Sequence, residues 1–424
     1  MEESSANEPA LVRRLGTFDA VIVGLGSMIG AGIFAALAPA AAAAGSGLLI
    51  GLAAAAVVAY CNATSSARLA ARYPASGGTY VYGRERLGPF WGYLAGWGFI
   101  TGKTASCAAM ALTVGSYVWP SHAHAVAVAT VVALTAVNYT GVQKAAWLTR
   151  AIVVVVLAVL AAVVVATLTS PEADTARLDI SSNVTAPGVL QAAGLLFFAF
   201  AGYARIATLG EEVRDPATTI PRAISLALAI TVVVYAVVAA AVLAVLGPAR
   251  LATAVDPLAQ AVNAAGVDWL APVVRVAAAI AALGSLLALI LGVSRTTLAM
   301  ARDRHLPHQL AAVHPRFSVP HRAELAVGAA VAVLAATVDL RGAIGFSSFA
   351  VLTYYAIANA SAWTLTRAEG RPRRWIPALG LLGCVGLAFS LPPHSVVGGL
   401  AVLALGVAAY LLRRTASTRN GLRS

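Results

Sequence analysis

Charge is what this 424-residue chain has least of: 11% of its residues are Asp, Glu, Lys or Arg, against 60% that are hydrophobic. So few charges cannot cover the surface of a water-soluble protein of this length, which excludes a soluble globular or a disordered chain. Acids are scarcer than bases, 17 against 29, leaving a net charge of +12. Cysteine is nearly missing: Cys61, Cys107 and Cys384 all fall in apolar segments without metal-ligand spacing, so neither a disulfide framework nor a zinc site is indicated. HExxH, GxSxG and Walker-type loops are absent and no His/Asp/Glu set converges, so an enzyme, a resident metal and a cofactor all lack support. The opening MEESSANEPALVRRLG has no basic segment followed by a short apolar core, and no cleaved signal peptide is expected.

What is present is apolar sequence in long runs. Crossing about 30 Å of hydrocarbon at 1.5 Å per residue takes roughly 20 apolar residues, and the chain offers about a dozen such stretches. They fall near 17–40, 46–68, 89–118, 123–142, 147–169, 188–210, 222–246, 271–301, 323–338, 342–366, 376–391 and 395–412. Their Ala, Val, Leu and Gly content suits close-packed helices rather than the short alternating strands of a barrel. The fold class is therefore an all-α polytopic membrane protein. The spans at 323–338 and 376–391 are short, so an overcount by one adjacent pair stays open. The organisation expected is a tail at 1–16, five spans over 17–169, five over 188–366, two over 376–412 and a tail at 413–424.

The basic residues sit in alternate loops: near Arg68 to Arg86, Lys144 and Arg150, Arg214 and Arg222, Arg302 to Arg322, Arg367 to Arg374, and from Arg413 on. That is the positive-inside pattern, which accounts for the net charge without a nucleic-acid partner and places both termini in the cytoplasm of an inner-membrane protein.

The first span packs Gly24, Gly26, Gly30 and Gly32 into nine residues at its middle, and the sixth carries Gly194 and Gly202 around Leu195–Ala201. Glycine costs about 1 kcal/mol relative to alanine inside a helix and allows the backbone to unwind. Such interruptions at matching places in two halves point to a transporter site, where freed amides hold a carboxylate and freed carbonyls an ammonium. A small-residue packing face is the alternative for either segment alone.

Four stretches carry a resemblance: Gly26-Ser27-Met28-Ile29-Gly30-Ala31-Gly32-Ile33-Phe34; Tyr73-Pro74-Ala75-Ser76-Gly77-Gly78-Thr79-Tyr80; Phe197 to Tyr203 leading to Glu211-Glu212-Val213-Arg214-Asp215-Pro216; and Ala299-Met300-Ala301-Arg302-Asp303 before His314-Pro315-Arg316-Phe317. Together they resemble the amino acid, polyamine and organocation (APC) superfamily of permeases over nearly the full length. The resemblance implies a five-plus-five inverted repeat with discontinuous helices 1 and 6, two extra helices, and alternating access for an amino acid or related amine. By position, Met28, Ile29, Gly30, Ala31 and Gly32 meet the substrate at the first break, and Phe198, Ala201, Gly202 and Tyr203 at the second. The amides of Ala31 and Gly32 take its carboxylate, and the carbonyls of Met28, Phe198 and Ala201 its amine. Tyr203 either lines or gates the pocket or packs against lipid or a helix. Departures from familiar members are Val156 where proton-coupled relatives carry a lysine, Leu289 where an arginine-exchanging relative has an aromatic gate, and Ala204 where some members have an acid.

Lys103 lies near the middle of the third span, where an ionisable side chain is expensive. It is expected to face the substrate cavity, exchanging protons or standing in for a coupling cation; snorkelling to an interface is the bland alternative. Arg205 pairs with Glu211 or Glu212 as a gate or helix-end network, or meets the substrate carboxylate. His305, His308, His314 and His321 match no metal spacing and read as surface residues. Ser285 is a weaker candidate, with Ser294, for a sodium-like site, and Leu289 for the pocket.

With Lys103 and Arg205 both positive, neutral amino acids are the expected substrates, moved by proton coupling or exchange. A basic amino acid or polyamine antiporter is the runner-up, and a non-transporting receptor the alternative of another class. The expected partners are an amino acid, the lipid bilayer and protons.

Overall fold

Inside hydrocarbon every backbone amide and carbonyl must find its partner within the protein, which an α-helix achieves locally. The computed structural model describes residues 15–73, 77–141, 146–180, 183–207 and 213–421, with the backbone alone at Ala146 and from Thr415 on. The helices are α1 (Thr17–Met28), α2 (Ala31–Ala35), α3 (Leu37–Ala44), α4 (Leu48–Arg72), α5 (Thr79–Leu87), α6 (Pro89–Val118), α7 (Ala123–Tyr139), α8 (Ala146–Leu168) and α9 (Ala186–Phe200). They continue as α10 (Ala204–Ala207), α11 (Pro216–Thr253), α12 (Pro257–Ala264), α13 (Leu270–Arg302), α14 (His321–Thr337), α15 (Leu340–Trp363), α16 (Trp375–Ser390) and α17 (Pro393–Gly421). Among the described residues the one β-bridge is a parallel pairing of Leu15 with Val213.

Nine helical stretches of the described residues are long and apolar enough to cross a bilayer. With α6, α14 and α16 they account for the crossings expected from the sequence. Proline in the first turn starts α6, α9, α11 and α12, where its missing N–H costs nothing. Thr185 and Asp339 cap α9 and α15 through Gly188 and Gly342 N–H, at 3.2 and 3.1 Å. Gly247, at φ +70°, and Pro248 kink α11 near its end.

The packing partners reveal the internal symmetry. The second crossing, α4, packs on the sixth, α9, as the seventh, α11, packs on the first, α1. Likewise α6 lies on α15 as α13 lies on α8, while α4 with α11, α6 with α13 and α7 with α14 meet their own counterparts. That is the contact pattern of a five-plus-five inverted repeat, with α16 and α17 outside it. Small residues allow the close approach: a Cβ on Gly102 would meet Ala350 at 2.7 Å, and one on Gly51 would meet Ala192 at 3.1 Å. A buried polar cluster joins α4, α15 and α16, with Asn359 Nδ2 donating to Asn62 Oδ1 at 2.6 Å and Ser65 Oγ donating to Asn359 Oδ1 at 2.7 Å. Cys384 donates weakly to the same Asn62 oxygen at 3.3 Å.

One end of the bundle carries most of the arginines and is tied by ionic contacts. Arg84 donates to Asp303 at 3.0 Å, and Tyr80 donates to the same carboxylate. His305 is not simply a surface residue: it is partly buried, its Nδ1 lies 3.0 Å from the Tyr80 hydroxyl, and burial holds its pKa below the usual 6.5. His314 and His321 likewise pack edge-on around Tyr139, and among the described residues no group of three metal-ligating side chains forms.

Glu369, in the loop after α15, joins this end to α4 and α5. It accepts from Thr366 N–H at 2.9 Å, from Arg86 at 2.5 Å and from Arg72 at 3.4 Å. The Thr366 amide first, and then the Arg86 guanidinium, hold its carboxyl down to about 2. A depressed carboxyl adds stability that is complete above its ordinary value of 4.5 and is lost as pH falls through about 2. Glu369→Gln should therefore melt below the parent protein at neutral pH, and the gap should close on acidification across that window, read as paired thermal unfolding curves.

Candidate functional site

Two helix interruptions meet at the centre of the molecule. The first crossing leaves helical geometry at Ile29 (φ −81°, ψ 53°) and Gly30 (φ −106°, ψ −133°), and resumes at Ala31. The sixth tightens into a 3-10 turn over Ala201–Tyr203 between α9 and α10. Glycine is required by proximity as much as by backbone freedom. A Cβ on Gly30 would meet Ser285 Oγ at 2.2 Å, one on Gly32 would meet Ala199 at 2.6 Å, and one on Gly202 would meet the Ser27 carbonyl oxygen at 2.3 Å. Gly194, by contrast, lies within the regular helix α9 and makes room for Leu391 and the Leu387 carbonyl. It belongs to the packing face, not to the break.

The carbonyls around the breaks take donors from other helices. Ala201 O accepts from the Lys103 ammonium at 3.2 Å and has the Tyr355 hydroxyl at 3.4 Å. The Tyr235 hydroxyl reaches both Met28 O and Ala199 O, the latter at 3.1 Å, and its one proton serves one of them at a time. Ser285 Oγ donates to Gly26 O at 2.9 Å, and Tyr117 to Phe34 O at 2.9 Å.

Beside this seam lies a cavity of about 180 Å³ that runs from Ser27 and Ala201 towards Gly77 and Ala299 at the arginine-rich end. That is room for a small solute rather than for the larger ligands that need pockets of roughly 300 Å³ and more. On its far side the way is filled by Phe34 edge-on to Tyr117 (5.8 Å) and Phe200 against Tyr235 (5.2 Å), all four side chains fully buried.

Of the candidates from the sequence, Lys103, Phe198, Ala201, Gly202, Arg205, Ser285 and Leu289 line the cavity. Met28, Ile29, Gly30, Ala31 and Gly32 are buried just behind it. Tyr203 is also away from it, fully buried with its ring 5.1 Å from that of Tyr355. Glu211 and Glu212 lie outside the described residues. Val156 is buried in the core, and Val153, one turn earlier, faces Gly26, so α8 presents aliphatic surface to the first break. Ser294 bonds its own helix at Ile290 O and does not line this cavity.

The sequence reading missed Arg295, Tyr354 and the Ser106–Ser347 hydroxyl pair (2.5 Å) at or beside the cavity, and Tyr235 and Tyr355 behind it. An arginine inside the eighth apolar run, and hydroxyls of mid-span tyrosines that need partners, were the available signals. The cavity's charged lining is Lys103, Arg205 and Arg295, and none of its described lining residues is acidic.

The family model described as amino acid permease matches residues 15–411. An uncharacterized transporter of Mycobacterium tuberculosis is 77% identical over 409 residues, covering 96% of this chain and 93% of that one. A branched-chain amino acid permease of Bacillus subtilis is 26% identical over 96% of this chain and 94% of its own. Human cationic amino acid transporter 4 is 27% identical over 87% of this chain and 62% of its own.

The seam makes a packing prediction. Gly202→Ala forces a methyl group against the Ser27 carbonyl and should destabilise by about 1–3 kcal/mol. Gly386→Ala, with nothing within 4 Å of its added Cβ, should be neutral or slightly stabilising. Thermal unfolding of both variants in detergent checks the contrast.

Proposed function

The chain belongs to the amino acid permease family, and on that premise we propose that it is a secondary active transporter carrying neutral amino acids across the cell membrane by alternating access. The observation that carries the reading is Lys103: its ammonium sits on the carbonyl of Ala201, at the helix break and on the cavity wall. The substrate's carboxylate is assigned to the amides of Ala31 and Gly32, and its ammonium to the carbonyls of Met28, Phe198 and Ala201.

At Ala201 the substrate's ammonium then meets a resident competitor. Binding displaces Lys103 or accompanies loss of its proton, which ties solute movement to exchange or to proton transfer. No ion from solution is needed to hold this carbonyl while the site is empty. The repeats are taken as 17–169 and 188–366, with tails at 1–16 and 413–424 in the cytoplasm. In that orientation the cavity opens inward and the packed rings of Phe34, Tyr117, Phe200 and Tyr235 form the outer closure.

Substrate charge follows from the lining. The cationic amino acid transporters among the relatives favour the runner-up, a basic amino acid or polyamine antiporter. Here a cationic substrate would enter beside Lys103 and Arg295, with no acid among the described lining residues to offset their repulsion. An α-amino acid with an uncharged side chain brings one carboxylate and one ammonium, and the electrostatics of this wall favour it.

The first test is thermal stabilisation of the purified protein by each of the twenty amino acids and common polyamines, at two pH values, with and without sodium. A ligand present at 100 times its Kd adds about 2.7 kcal/mol of stability. Neutral amino acids should stabilise without sodium, and the same compounds should show counterflow in liposomes. Lys103→Ala should abolish counterflow in a folded protein. Stabilisation by basic compounds alone would replace the substrate class, and binding without counterflow would replace the transporter by a receptor.

A further inference from the structure

Glu324 is the least compensated charge in the molecule as described. It sits in the first turn of α14 at 0% exposure, and neither carboxyl oxygen has a hydrogen-bond partner among the described residues. An acid in the first turn of a helix is ordinarily a solvated partner of the helix dipole, but this one is shut away from water. Nor is it a structural ion pair: no described Lys, Arg or His nitrogen lies within 4.0 Å of it. A buried carboxylate with no donor is among the most expensive arrangements a protein can hold, and its neutral acid form avoids that cost.

The titratable or charged side chains on the elements packed against α14 are Arg275, Arg295 and Arg302 of α13, His124 and Tyr139 of α7, Tyr93, Lys103, Cys107 and Tyr117 of α6, His308 of the 3-10 turn before it, and its own His321 and Arg322; His124 meets α14 at its other end, at Ala335 O. Of these, the Arg295 guanidinium is the charge that acts on the carboxyl. Arg295 lines the cavity and is exposed there, with no hydrogen bond or ion pair among the described residues. The acid is the fixed member of the pair. One turn beyond it, Gly328 seats α14 against α7 so closely that a Cβ would meet Thr135 Oγ1 at 2.6 Å.

We propose that Glu324 is a proton-binding site of the transport cycle, occupied by a proton in this cavity-open conformation and emptied when Arg295 leaves the cavity wall to pair with the carboxylate. The step balances simply: the carboxyl O–H breaks, the proton passes to water in the cavity mouth, and the carboxylate left behind takes the guanidinium as counter-ion. The charge lining the cavity then depends on the proton behind it. This rests on the alternating-access reading for its place in a cycle, but its chemistry is separate from substrate binding and from Lys103.

Infrared difference spectra of the full-length protein in lipid, recorded between acidic and alkaline pH without any substrate, test it. The parent protein should show the carbonyl stretch of a buried protonated carboxylic acid, lost at alkaline pH. Glu324→Gln, nearly isosteric with the neutral acid, should delete that band. Arg295→Gln keeps the acid but removes the cation that favours its ionisation, so the loss of the band should move to higher pH. A parent protein without the band, a band that survives Glu324→Gln, or an Arg295→Gln titration superimposable on the parent's would each overturn the proposal. Failure of the transport reading would leave these spectra untouched.

Discussion

Everything at the centre of this molecule depends on one requirement: a helix interrupted in the middle of a membrane protein frees carbonyls that water cannot reach. Leaving such a group unpaired costs about 1–3 kcal/mol, so an interruption persists only if other helices supply donors. Here Tyr235 from α11, Tyr355 from α15, Ser285 from α13 and Lys103 from α6 do so, each from a different helix. The breaks are thus pinned to the elements that surround them. A movement of α1 or α9 against those helices exchanges hydrogen bonds instead of merely sliding apolar surfaces.

The donors reach their carbonyls because the two broken helices touch. Gly202 lies on the Ser27 carbonyl and Gly32 on Ala199, distances that no larger residue permits. The glycines therefore serve close approach, Gly30 to Ser285, Gly32 to Ala199 and Gly202 to the Ser27 carbonyl. Unwinding and packing, the two readings of the glycine pattern, coincide at Gly30, where the first helix breaks against Ser285.

Nine of the crossings were legible because length and apolarity decide them, whereas α6, α14 and α16 fall short in one or the other and rest on their place in the bundle. The first break was legible from glycine density, and Lys103 from the cost of a cation in mid-span. The sequence did not separate Gly194 from Gly202, because the difference lies in the neighbour: Leu391 for one and Ser27 for the other, both distant in the chain. The tyrosine donors were hidden for a related reason. A tyrosine in an apolar run packs like phenylalanine until the partner of its hydroxyl is known, and Met28 O lies 207 residues from Tyr235. The short helices α5 and α12 carry no span-length signal and appear only in three dimensions.

Two buried ionisable side chains, Lys103 on the cavity wall and Glu324 in α14, are partnered oppositely. Lys103 has a carbonyl dipole as its ligand, which partly replaces the water it gave up. Glu324 has no such ligand among the described residues. The net charge of +12 concerns orientation and is spread over the loops, where solvent screens it. The cations that line the cavity are Lys103, Arg205 and Arg295, where screening is weaker than in the loops. A wall without acids disfavours cations without any steric change, and on the proposal made above a proton on Glu324, within electrostatic reach of Arg295, would alter the charge of that wall.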